Sequence, residues 1–136
     1  MEKNGFIGEL DYYVREKVCE FIVKNKEKCL PFPISVNVSR IEFNSPDFVK
    51  KLIAQVDKFG LDHSLLRIEI TESLFMDKYT QSIKNIRKLK KSGFYIEMDD
   101  FGSVYSSLSI LRDLDFDLIK LDLRFFASKT FKKEEL

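Results

Sequence analysis

An α/β fold built on a parallel sheet is what this 136-residue chain predicts. Three observations predict it. Helical and strand-like patterns alternate along the chain, as βα units require. The strand-like runs at 34–38, 66–71, 95–99 and 118–122 are short and rich in Ile, Val and Leu. Each of these runs also carries a polar or charged residue at or near its carboxyl end, where parallel sheets carry ligand sites.

The elements follow in order. Phe6, Ile7, Leu10, Tyr13, Val14, Val18, Phe21 and Ile22 recur at helical spacing and predict an amphipathic helix over about 6–25 whose apolar stripe packs on a sheet. Asn25-Lys26-Glu27-Lys28 and then Pro31-Phe32-Pro33 end it. The first strand, Ile34-Ser35-Val36-Asn37-Val38, comes next. Ser45-Pro46-Asp47 reads as a helix start, with Ser as N-cap and Pro at the first helical position. Phe48, Val49, Leu52, Ile53, Val56 and Phe59 form the apolar face of that helix, and Gly60 closes it. After the strand 66–71, Ile83, Ile86 and Leu89 mark a helix that ends at Gly93, with Lys84, Arg87, Lys88, Lys90 and Lys91 as its solvated face. The strand 95–99 leads into the loop Phe101-Gly102-Ser103, a helix through Ser107, Leu108, Ile110 and Leu111, and the last strand. Residues 125–136 form a charged tail expected to fray.

Composition narrows the function. Apolar residues make up 44% and charged residues 33%, an ordinary globular mixture. A formal net charge of +1, with acids and bases interspersed, argues against a nucleic-acid polymer as partner. No apolar run approaches the roughly 20 residues that span a bilayer, and the start lacks signal-peptide character, so a cytoplasmic domain without membrane contact is expected. Cys19 and Cys29 lack metal-ligand spacing; Cys19 reads as a reduced thiol in or near the core. His63, the only histidine, reads as an exposed loop residue. No glycine-rich phosphate loop of the dinucleotide or P-loop type is present.

The chemistry lies at four strand tips: Asn37, Glu69, Asp99 with Asp100, and Lys120 with Asp122. Alternation turns every second strand residue to the same face, so in a (β/α)8 barrel Asn37, Glu69, Asp99, Lys120 and Asp122 would point into one mouth. An amide, several carboxylates and an ammonium are the donor set for Mg²⁺ or Mn²⁺ acting on a phosphate. Each residue also has a plain structural reading. Asn37 could cap a turn, Glu69 with Thr71 and Glu72 could open a loop or cap a helix near Ser73, Asp99-Asp100 could cap a loop, and Lys120 could lie along an apolar edge.

At these positions the chain resembles the EAL family of cyclic di-GMP phosphodiesterases. The resemblance lies in Ser35-Val36-Asn37-Val38-Ser39, Glu69-Ile70-Thr71-Glu72-Ser73, Asp99-Asp100-Phe101-Gly102-Ser103-Val104-Tyr105-Ser106-Ser107-Leu108 and Ile119-Lys120-Leu121-Asp122, with Glu9-Leu10-Asp11 similar to the segment after the family's first strand. It covers nearly the whole chain. It implies a (β/α)8 barrel that hydrolyses cyclic di-GMP to the linear dinucleotide with Mg²⁺ or Mn²⁺. By resemblance, Asn37, Glu69 and Asp99 ligate metal and Asp100 serves a second metal. Lys120 holds or polarises the attacking water, Glu72 braces the loop after Asp100, and Asp122 lines the site beside Lys120.

The departures carry expectations too. The naming Glu-Ala-Leu motif and the family's later strands are not in the sequence, and a whole barrel takes about 250 residues. The expected architecture is therefore about half a TIM-like barrel in one partial domain, 1–136. Such a piece is expected to be inactive alone and to self-associate as a homodimer or higher oligomer through its sheet edges and apolar helix faces. The alternative is a non-catalytic module that binds cyclic di-GMP or a protein partner. Val104 stands where the family usually has a second glycine. Glu97 stands on the inward side where the family favours a small residue, and Arg67 is its expected partner.

Overall fold

The computed structural model describes residues 2–26, 28, 32–76, 78–101, 112, 114 and 116–121. The four strand patterns become β1 (Ile34–Asn37), β2 (Leu66–Thr71), β3 (Tyr95–Phe101) and β4 (Leu118–Leu121). They form one parallel sheet in the order β1-β2-β3-β4. Helices α1 (Glu2–Asn25), α2 (Arg40–Phe43), α3 (Phe48–Lys58) and α4 (Tyr79–Lys91) connect or precede the strands. This is the parallel βα architecture the alternating patterns predict.

Period-two alternation gives the sheet two unlike faces. Val36, Ile68, Ile70, Ile96 and Met98 are buried on one face and join Phe43, Leu52, Val56, Ile86 and Leu89 from the helices in a single core. Burying each such side chain contributes about 1.5–3 kcal/mol, enough for this face to set the register of every strand. The opposite face carries Ser35, Asn37, Arg67, Glu69, Glu97 and Asp99, and it holds the site.

The C-terminal ends of α3 and α4 follow local chemistry, and the start of α3 does not. Gly60 (φ 66°) and Gly93 (φ 94°) close α3 and α4 in the left-handed region that glycine adopts without strain. At the start of α3, however, Asp47 is the cap residue, and the Ser45 hydroxyl donates to the Asp47 carboxylate instead of receiving a helix amide. The reason lies just upstream. Ser39 caps the short helix α2, its Oγ accepting from the Glu42 amide at 3.4 Å, and the chain must turn at Asn44–Asp47 before α3 can begin. A four-residue helix is too short to leave a periodic signal, so the sequence reading passes over it.

Helix α1 departs from expectation more strongly. Its C-terminal end agrees and its start lies four residues earlier than expected, at Glu2, but Phe6, Leu10, Tyr13, Val14 and Phe21 are exposed, Phe6 by 65%. The face turned inward carries Arg15, Cys19 and Ile22, spaced i, i+4 and i+7. Arg15 is 2% exposed, its Nε donating to Gln55 Oε1 at 3.1 Å and its terminal nitrogens pairing with both Glu42 oxygens. Apolar spacing alone names the stripe; which stripe meets the protein depends on what lies opposite. Cys19 is a fully buried free thiol, and burial pushes its pKa up to about 11, so it is inert.

His63 is likewise not a free loop residue. Its Nε2 lies 2.7 Å from Asp57 Oδ1 and its Nδ1 2.6 Å from the Ser92 carbonyl, with the ring stacked on Phe94 at 4.5 Å. Both ring nitrogens face acceptors, an arrangement only the imidazolium satisfies fully. Burial opposes its charge, but the Ser92 carbonyl and Asp57 outweigh that and raise its pKa above the ordinary histidine value. A raised folded pKa gives stability present below about pH 6.5 and lost as pH rises through the folded value. The urea midpoint should therefore fall between pH 6 and pH 8 in the wild type, and the His63→Gln variant should flatten that fall; an unchanged slope would contradict the role of His63.

No helix among the described residues is long and apolar enough to cross a membrane. Cys29, Pro31, Val104, Asp122, the loop at Gly102-Ser103, the helix expected through 107–111 and the tail 125–136 lie outside the described residues.

Candidate active site

Strand register brings the candidate residues together. Asn37 stands beside Glu69, and Glu69 beside Glu97, forming one row across β1, β2 and β3. Thr71 and Asp99 form the next row toward the strand ends. β4 completes the set: Lys120 Nζ donates to Glu69 Oε1 at 3.0 Å and lies 3.5 Å from Glu97 Oε2. Five of the residues singled out from sequence thus share one face, four of them at the strand tips.

Asp99 and Asp100 owe their placement to a β-bulge. Met98 pairs with Ile119 and Phe101 with Leu121, so two residues of β3 stand against the single residue Lys120 of β4. Asp100 takes φ 56°, and its N–H donates to Asp99 Oδ1 at 2.9 Å. Aspartate tolerates this region better than most residues because its short polar side chain can bond locally. Strict alternation would send adjacent carboxylates to opposite faces; a bulge re-aims one of them. The strand also continues to Phe101, which is 1% exposed, two residues beyond the end predicted from sequence.

Electrostatics of the face centre on Lys120. Its bond to Glu69, helped by the fields of Glu97 and Asp99, holds the ammonium above the usual lysine pKa range. Its ammonium is a hydrogen-bond donor and a positive charge on this face. Glu97 is almost completely buried and accepts from the Ser35 hydroxyl at 3.0 Å, with Arg67 Nη1 3.6 Å away. Arg67 in turn stacks over Tyr95 at 4.1 Å. The expected Arg67 partner is present; Ser35 and Lys120 as further partners of Glu97 were not foreseen, since they lie on strands distant in sequence. Glu72 is 1% exposed at the start of the 3-10 turn Glu72–Met76, and the loop it was expected to brace lies outside the described residues.

The donor set is oxygen-only: one amide and three carboxylates in Asn37, Glu69, Asp99 and Asp100. That chemistry fits a hard divalent cation. Among the described residues no three acidic, histidine or cysteine groups form a ready metal cage. The Lys120 ammonium lies against Glu69 instead, so a cation bound there would have to displace it. A groove of about 780 Å³ lies between α3 and α4 and is lined in part by Val49, Ile53, Lys88 and Lys91, none of them a candidate residue.

Comparison with known proteins places this geometry. The EAL domain profile matches residues 1–135. The chain belongs to the EAL family. An EAL relative, an uncharacterised signalling protein of Caulobacter vibrioides, is 37% identical over 124 residues, covering 91% of this chain and 15% of the relative. The structure of the PaMucR phosphodiesterase in complex with c-di-GMP superposes with a TM-score of 0.79 at 30% identity, covering 89% of this chain and 52% of that one. Klebsiella pneumoniae BlrP1, solved with calcium and c-di-GMP, gives 0.69 at 26% identity, covering 90% of this chain and 30% of that one. The EAL chain described here thus spans about half, or less, of the proteins it matches. Its parallel sheet with flanking helices is part of the barrel-like EAL fold.

Proposed function

We propose that this chain supplies central strands of a metal-dependent cyclic di-GMP phosphodiesterase. The observation that carries the reading is the neighbouring pair Asn37 and Glu69, with Lys120 bonded to Glu69 from β4 and standing opposite the bulged Asp99-Asp100 pair at the strand ends. Support for the ligand comes from PaMucR, a phosphodiesterase solved with c-di-GMP, and support for a divalent cation from BlrP1, solved with calcium and c-di-GMP. Asn37, Glu69 and Asp99 would hold Mg²⁺ or Mn²⁺, and Asp100 a second ion. When bound, such ions lower the pKa of water and offset charge on the phosphate oxygens.

The chain's own residues would do the rest. Lys120, an ammonium, would donate to the attacking water or to a phosphate oxygen and orient it for in-line attack. Water adds at phosphorus, one P–O ester bond breaks, and the linear dinucleotide leaves with a new phosphomonoester. Asp122 lines the site next to Lys120, and Glu72 braces the loop after Asp100. A second reading, a module that binds cyclic di-GMP or a protein partner without cleaving it, is favoured by the two carboxylates that already neutralise Lys120.

The deciding assay is cyclic di-GMP turnover with Mn²⁺, before and after chelation, by a protein carrying this chain in a whole barrel. Turnover lost on chelation supports the phosphodiesterase, whereas binding without turnover selects the second reading. The 136 residues alone are expected to be inactive and to self-associate, since β1 and β4 are sheet edges and the α1 stripe is exposed. Light scattering should report a dimer or larger species; a monodisperse monomer would refute self-association.

A further inference from the structure

Glu97 has no place in the chemistry above, yet it is the most deeply buried acid on the site face, at 1% exposure. A buried carboxylate is costly unless cations and hydrogen bonds surround it. Glu97 has both. The Ser35 hydroxyl donates to Oε1 at 3.0 Å, and Arg67 Nη1 lies 3.6 Å from the same oxygen. These partners hold one side of the carboxylate and leave Oε2 toward Lys120, 3.5 Å away. Glu97 also stands directly beside Glu69 across β2 and β3. The Lys120 ammonium therefore rests between two carboxylates, bonded to one and within reach of the other.

We propose, resting on the reading of Glu69 as a metal ligand, that Glu97 is a positioning residue that gives the Lys120 ammonium a second seat. When a divalent cation takes Glu69, like charges oblige the ammonium to leave that carboxylate. With Glu97 present the ammonium shifts to an adjacent anion and stays at the site. Without it, the ammonium either keeps Glu69 and excludes the cation or leaves the site unpaired. Glu97 thus makes metal entry and retention of Lys120 compatible. Arg67 and Ser35 act through Glu97 by fixing its carboxylate.

A double-mutant cycle tests this, because a through-space charge effect acts whether or not Lys120 is present. Mn²⁺ affinity is measured by calorimetry for the wild type, Glu97→Gln, Lys120→Met and the double variant, all in the protein that carries this chain in a whole barrel. Glu97→Gln is expected to weaken Mn²⁺ binding about tenfold when Lys120 is present and less than twofold in the Lys120→Met background. Equal weakening in both backgrounds, or none in either, overturns the proposal. Metal-free urea unfolding of the same four proteins tests the seat itself. The shifts of the two single variants should sum to more than the shift of the double variant, which still loses the Lys120–Glu69 bond, whereas fully additive shifts would mean that Glu97 and Lys120 do not interact. A Glu69→Gln variant separates failures: Mn²⁺ binding unchanged by Glu69→Gln, or absent from the wild type, sinks the metal-ligand reading, while the urea cycle still decides whether Glu97 seats Lys120.

Discussion

Glu42→Ala is expected to destabilise the chain by about 3 kcal/mol, lowering the melting temperature by on the order of 10 °C. The cause is not the loss of an attraction in water. Arg15 is buried, and Glu42 is its two-oxygen partner. Gln55 Oε1 accepts from Nε, and the guanidinium lies 5.7 Å from the Phe48 ring and 5.9 Å from Tyr12. Removing Glu42 leaves an uncompensated charge in that apolar cage. The Glu42 carboxyl already reflects the expense of the site: burial pushes its pKa above the usual carboxylate range although Arg15 pulls it down. Replacing both members together, Arg15→Met with Glu42→Leu, should therefore recover most of the loss. Urea unfolding of the single and double variants checks both statements. A Glu42→Ala midpoint equal to wild type would show that Arg15 finds water or another anion.

Glu69→Gln and Asp99→Asn should each lower cyclic di-GMP turnover of the whole-barrel protein by at least about 10²–10³-fold, the size of losing one electrostatic partner of a phosphoryl transition state. Both substitutions keep shape and hydrogen-bonding capacity while removing the charge. Stability should hardly move. Lys120, the ion partner of Glu69, is 45% exposed, and such pairs contribute about 0–1 kcal/mol. Unfolding curves beside the rates thus separate a chemical role from a structural one. Turnover within tenfold of wild type in either variant would remove that residue from the proposed metal set.

Much of the molecule was legible before any coordinates. Short apolar runs between helical patterns named the strands, Gly60 and Gly93 marked helix ends, and polar groups at or near the strand ends marked the face with the candidate site. The Arg67–Glu97 pair followed from the rule that a charge inside a sheet layer needs a counter-charge. These inferences use neighbours within a few residues or the strict geometry of a pleat. What escaped them was longer range or locally irregular. Of the apolar stripe read on α1, Ile22 is buried and Val18 packs against the core, whereas Phe6, Leu10, Tyr13, Val14 and Phe21 are exposed. The bulge at Asp99-Asp100 has no periodic signature because it breaks the period.

By itself, then, the sequence determined the parallel α/β class, the family and the identity of the polar groups at the strand ends. Only the tertiary structure decided how those groups pair. Lys120 and Glu69 are 51 positions apart, and Ser35 and Glu97 are 62. Whether such groups meet depends on strand register and on one extra residue in β3. Register is set by apolar burial on the far side of the sheet, where none of these polar residues lies.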